Sequence, residues 1–117
     1  MGLWRRYLAW RLRNISVLDC DADGFGVTRR GVRVGASWQA VERVAAFKRD
    51  LGTVDLICIA LFTDGQVIEV EGEMPGYPQF DATMHTALAI TPEWKLAVMF
   101  PAFAANPQTI FERRQTA

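Results

Sequence analysis

The chain of 117 residues is half apolar and balances 13 basic against 13 acidic side chains, enough for one domain that folds without disulfide or metal staples. Zero net charge removes a whole-molecule electrostatic case for nucleic acid or an acidic membrane. The charges are unevenly placed, however: residues 1–18 hold Arg5, Arg6, Arg11 and Arg13 with no acidic residue, so a basic head precedes an acidic body.

In this head, Leu3, Trp4, Tyr7, Leu8, Leu12 and Ile15 recur three and four residues apart, which suits an amphipathic helix or a strand-like arm. Arg11 and Arg13 break the apolar stretch short of a signal-peptide core, and no span approaches 18 apolar residues. Arg6 stands where a myristoylation motif carries Ser or Thr. The expected compartment is the cytoplasm. Cys20 and Cys58 have no zinc-ligand spacing around them and are expected as reduced thiols.

From Asp19 to Gly24 the chain is expected to turn, and Phe25–Thr28 and Val32–Val34 read as short strands around Arg29-Arg30-Gly31. Residues 37–51 allow two readings. Ser37 caps either a helix bearing Val41, Val44, Ala45 and Leu51, or a single tight turn followed by a strand over Val44–Arg49.

The run V-D-L-I-C-I-A-L-F-T-D-G-Q-V-I-E-V, Val54–Val70, carries the clearest signal: two apolar strands joined at Asp64-Gly65, residues that accept the positive φ of a type I′ turn. Pairing Thr63 with Gln66 sets Leu61 opposite Ile68 and Ile59 opposite Val70, and puts Ile57, Ile59, Leu61, Ile68 and Val70 on one core face. The other face bears Val54, Leu56, Cys58, Ala60 and Phe62 beside Val67, Glu69 and Glu71, too apolar for open water. It is expected to be covered by the N-terminal segment, the C-terminal segment or a second copy of the chain.

Met74-Pro75-Gly76-Tyr77-Pro78 ends the sheet. Pro78 suits a first helical turn, and Phe80, Met84, Ala87 and Leu88 at i, i+4, i+7 and i+8 give a helix with one packing face, ending near Ile90. Trp94–Met99, after the Thr91-Pro92-Glu93 start, reads as a short helix with a strand as the alternative. Thr109–Glu112 reads as a last short strand before an exposed Arg113-Arg114 tail.

No catalytic, metal or cofactor signature stands out. Asp19, Asp21, Asp23 and Gly24 match half of a calcium loop, but Arg30 falls where the bidentate glutamate belongs, so an acidic turn is the simpler reading. Arg29, Arg30 and Arg33 are the candidate anion-binding cluster, although basic residues also protect exposed hairpin edges. Trp4, Arg5, Arg6 and Trp10 are the candidate membrane contacts; covering the apolar sheet face is the preferred use of these aromatics. His85 is the lone histidine, which removes His-pair metal sites and weakens any Ser-His-acid triad. Glu69, Glu71 and Glu73 alternate along a strand, as a solvated face or, in a small enzyme, as paired carboxylates.

The run G-F-G-V-T-R-R-G-V-R-V, then S-W-Q-A-V-E-R-V, then the Val54–Val70 hairpin resembles small bacterial pleckstrin-homology-like domains of unknown function, over about residues 24–90. The resemblance lies in strand order around a tryptophan-bearing turn. It implies that Trp38–Val41 is a turn and Val44–Arg49 a strand, and that the scaffold binds proteins, peptides or lipids. It carries no ligand motif.

The expected architecture is thus a single α+β domain over residues 1–117: a bent antiparallel sheet over 24–72, as an incomplete PH-like barrel, against a helix over 77–90, with a C-terminal extension over 91–117. The expected role is a non-enzymatic interaction module, possessing no cofactor and no nucleic-acid partner, that binds a protein, with an immunity-type inhibitor as a special case, or pairs with itself through the second sheet face. A peripheral membrane or anionic-lipid binder and a small enzyme using the glutamate row are the alternatives.

Overall fold

The computed structural model describes residues 2–3, 5–6, 16–50, 55–99 and 107–113. Strands β1 (Val17–Cys20), β2 (Gly24–Arg29) and β3 (Val32–Ser37) form one antiparallel sheet in sequence order. Strands β4 (Arg43–Asp50), β5 (Asp55–Thr63), β6 (Gln66–Glu71) and β7 (Gln108–Glu112) form a second, ordered β6-β5-β4-β7. Helices α1 (Tyr77–Leu88) and α2 (Trp94–Met99) fall between β6 and β7. The class is α+β with antiparallel, unclosed sheets, in two pieces where one bent sheet was expected.

The Val54–Val70 hairpin has the register its pattern dictates: Thr63 pairs with Gln66, Leu61 with Ile68 and Ile59 with Val70. Its turn differs from expectation. Gly65 has φ +74° while Asp64 keeps a negative φ, so the turn is not type I′, which needs both central residues left-handed. That geometry sits in the β2–β3 hairpin instead, where Arg30 (φ +52°) and Gly31 (φ +79°) join the paired Arg29 and Val32.

Ser37 caps a short 3-10 turn, Trp38–Ala40, by accepting a hydrogen bond from Ala40 N at 3.2 Å. The chain then enters β4, the turn-plus-strand alternative. Strand β1 was not anticipated: Asp19 and Cys20 are in a strand paired with Gly26 and Phe25, and only residues 21–23 turn. In a four-residue strand with one buried apolar side chain, Leu18, alternation is too short to register. The C-terminal segment likewise is part of the second sheet, through β7 beside β4. Arg113 is no free tail: its main-chain N donates to Glu42 O, and its guanidinium to Val41 O and Trp38 O.

Two cross-strand rows, Val44–Leu61–Ile68 and Ala46–Ile59–Val70, line the inner face of the second sheet, and all six residues are buried. Leu18, Phe25 and Val27 face them from the first sheet, with Trp38 from the turn. Phe80, Met84 and Leu88 of α1 share this core, while Ala87 is exposed. The nearest main-chain neighbours of α1 are β1 and the Trp38–Ala40 turn. Phe25, Trp38 and Phe80 form an aromatic trio with ring centroids 4.8 to 5.7 Å apart, each ring contributing about 2–3 kcal/mol through burial.

Gly76, at φ +90°, joins the sheet to α1. A Cβ there would stand 2.1 Å from Leu18 O, because Leu18 N donates to Pro75 O at 3.0 Å. This close approach holds the helix start against β1.

Candidate binding surface

The three arginines of the candidate anion site do not converge. Arg29 Nη2 donates to Glu69 O across the gap between the sheets at 2.8 Å. Arg33 crosses β2 and donates to both carboxylate oxygens of Asp19, at 2.7 and 3.1 Å; this bonding holds Asp19 below the ordinary carboxylate range. Arg30 is exposed at the hairpin turn. A charge-assisted anion cradle needs donors aimed at one point, and here two of the three guanidinium groups already have protein partners.

The half calcium loop is similarly engaged. Asp21 Oδ1 accepts from the amides of Asp23 and Gly24 at 2.8 and 3.0 Å, an Asx turn, and Asp19 is held by Arg33. Among the described residues no group of three or more His, Cys, Asp or Glu is placed to share a metal ion.

On the outer face of the second sheet Cys58 is fully buried within one chain and Leu56 and Ala60 nearly so, whereas Phe62 is half-buried, Val67 is exposed and Val54 lies outside the described residues. Arg49 reaches from β4 across β5 to the carboxylates of Glu69 and Glu71 on β6. Cys58, register partner of both Phe47 and Glu71, lies in the strand so crossed. Burial pushes its thiol up to about 11. Arg43 covers the Phe62 ring at 4.1 Å. The glutamate row is therefore divided: Glu69 and Glu71 are bound by Arg49, while Glu73 is exposed in the turn after β6. Cys20 and Cys58 are free thiols.

His85 joins α1 to α2. Its Nε2 accepts from Trp94 Nε1 at 2.9 Å, its Nδ1 faces Asp81 O, and Asp81 accepts from Lys95 at 2.7 Å. A general base needs a free nitrogen lone pair toward substrate. In His85 that lone pair is already occupied by the indole N–H.

Between the two sheets lies a notch of about 210 Å³, lined by Val27, Arg29, Val32, Val34, Val67, Ile68 and Glu69. Val32, Val34 and Val67 are 64, 42 and 56 % exposed, an apolar cluster at the facing edges β3 and β6. Main-chain polarity completes it. The bond from Gly72 N to Ile57 O fixes the phase of the ladder, turning the N–H and C=O groups of Ile68 and Val70 toward β5 and those of Val67 and Glu69 away from it. Among the described residues no strand pairs with that edge, and Arg29 occupies Glu69 O as a neighbouring strand's amide would.

The notch valines were not identified from sequence. Alternation places Val32 and Val34 on an inner face, but where the opposite sheet stops covering them is a tertiary property with no local signal. Of the candidate membrane contacts, Arg5 and Arg6 are helical and exposed, whereas Trp4 and Trp10 lie outside the described residues. Among the described residues no helix is long and apolar enough to cross a membrane. No family model, no curated protein and no solved structure matches the chain.

Proposed function

We propose that this chain is a non-enzymatic binding module whose ligand is an extended segment of a protein partner, seated in the notch between β3 and β6. The observation that supports it is the coincidence of exposed valines with outward main-chain groups of β6, the two elements that strand addition uses. Apolar side chains of the incoming segment bury Val32, Val34 and Val67, while its backbone pairs with Val67. Arg29 limits the pairing at Glu69, where its guanidinium already holds the carbonyl.

A PH-like scaffold of the small bacterial type suits this role, since its resemblance implies binding of proteins, peptides or lipids and leaves the ligand to surface residues. An immunity-type inhibitor is the special case in which the partner is a toxin. Self-pairing through the same edge is the competing occupant, and the body's surplus of acidic side chains weighs against it through like-charge repulsion.

Selection from a random peptide library tests the reading. Enriched peptides are expected to alternate apolar residues and to lose binding to the Val32→Glu/Val67→Lys variant. No enrichment, binding indifferent to that variant, or a dimer in sedimentation that blocks the edge overturns it.

A further inference from the structure

We infer that the N-terminal helix docks on an anionic lipid bilayer, with Leu3 inserted and Arg5 and Arg6 at headgroup level. Gly2, Leu3, Arg5 and Arg6 are helical. Leu3 is 84 % exposed, so it does not cover the sheet face. Arg6 follows Leu3 by three residues and therefore shares its side of the helix. An apolar side chain flanked by long basic ones suits the bilayer interface: the leucine enters the acyl boundary while the arginine stems extend to phosphate level.

Charge complementarity selects the occupant. Residues 1–18 carry four arginines and no acidic side chain, whereas nine basic and 13 acidic side chains occupy the rest. The acidic body is repelled by an anionic surface and the head is attracted, which orients the molecule with its N-terminus down. A basic segment on an otherwise acidic protein is also attracted to acidic proteins, but the apolar Leu3 adds nothing to such a purely ionic contact and adds burial in a bilayer.

Vesicle co-sedimentation of the full chain tests this, comparing phosphatidylcholine alone with phosphatidylcholine containing phosphatidylserine, at low and high salt. Binding is expected only to the anionic vesicles, falling with salt. It is expected to weaken roughly thirtyfold in Arg5→Ala/Arg6→Ala, at about 1 kcal/mol per basic residue near the surface, and to weaken also in Leu3→Asp. Because all three side chains are exposed, these variants are expected to melt like wild type. Absence of binding to anionic vesicles, equal binding to neutral ones, or retention by either variant overturns the inference. The notch variant Val32→Glu/Val67→Lys is expected to bind vesicles normally, which separates failure here from failure of the peptide-binding reading.

Discussion

Arg33 spans β2 to hold Asp19 through two hydrogen bonds, its guanidinium lying directly over Gly26. Arg49 does the same in the second sheet, crossing β5 to reach Glu69 and Glu71. In both sheets an arginine on one strand skips its neighbour and binds a carboxylate two strands away, so that three strands of each sheet are tied together. Glycine beneath one and cysteine near the other leave room for the crossing.

A Cβ at Gly26 would stand 2.4 Å from the Arg33 guanidinium, and that flexible end moves more readily than backbone. Gly26→Ala is therefore expected to keep the fold and open the pair. Asp19, depressed mainly by hydrogen bonds from Arg33, then titrates nearer its ordinary value. A lowered folded-state pKa adds stability above the ordinary carboxylate range and loses it as pH falls through the lowered value. Carboxyl NMR titration checks the shift, and an unchanged Asp19 would show that the crossing is not what depresses it.

Cys58 and Tyr77 predict the opposite, alkaline limb. Burial raises the Cys58 thiol to about 11 and raises Tyr77 as well. A group raised on folding contributes stability that is complete below its unfolded value and is lost as pH climbs through the folded one. Urea midpoints are expected to hold from pH 7.5 to about 9 and then decline toward pH 11, less steeply in Cys58→Ala. At pH 8 a thiol reagent is expected to label half-buried Cys20 before buried Cys58. Equal labelling rates would contradict the burial of Cys58.

Four left-handed positions make a graded series. Ala89 ends α1 at φ +53° and Arg30 turns the β2–β3 hairpin at φ +52°. Ala89→Gly and Arg30→Asn are each expected to stabilise by about 0.5–1 kcal/mol, since glycine and asparagine relieve the Cβ strain of this region. At Gly76 the sign reverses: positive φ is combined with a 2.1 Å approach to Leu18 O. Gly76→Ala is expected to cost about 2 kcal/mol or more. Gly31→Ala has the same sign of φ in open space and is expected to cost only about 1 kcal/mol. Denaturant titration ranks the four.

How much of this was legible beforehand follows from the range of each interaction. The β5–β6 register rests on alternation and a two-residue turn, both local, so Leu61–Ile68 and Ile59–Val70 could be read directly. The turn type was not, because hairpin sequences with Asp-Gly accommodate more than one φ at the first position. β7 was visible as a strand but not as the neighbour of β4, a pairing between residues over 60 apart in the chain. The Arg33 and Arg49 crossings require the register of three strands at once. The notch is more distant still, since it exists only where one sheet ends short of the other.

The bond between Trp94 Nε1 and His85 Nε2, at 2.9 Å, gives the last prediction. Trp94 is buried, so removing its acceptor leaves an indole N–H away from water. That costs about 1–3 kcal/mol, more than the net worth of the bond itself. His85→Ala is therefore expected to destabilise by about that amount and to redden Trp94 emission as α2 loosens. Trp94→Phe removes the donor instead and leaves a His85 ring 15 % exposed, whose freed nitrogen water can reach, so its loss comes mainly from packing. In the double variant the penalty of the stranded N–H disappears. The two single losses are expected to sum to about 1 kcal/mol or more above the double loss; strict additivity would mean that His85 and Trp94 stand side by side without the bond contributing to stability.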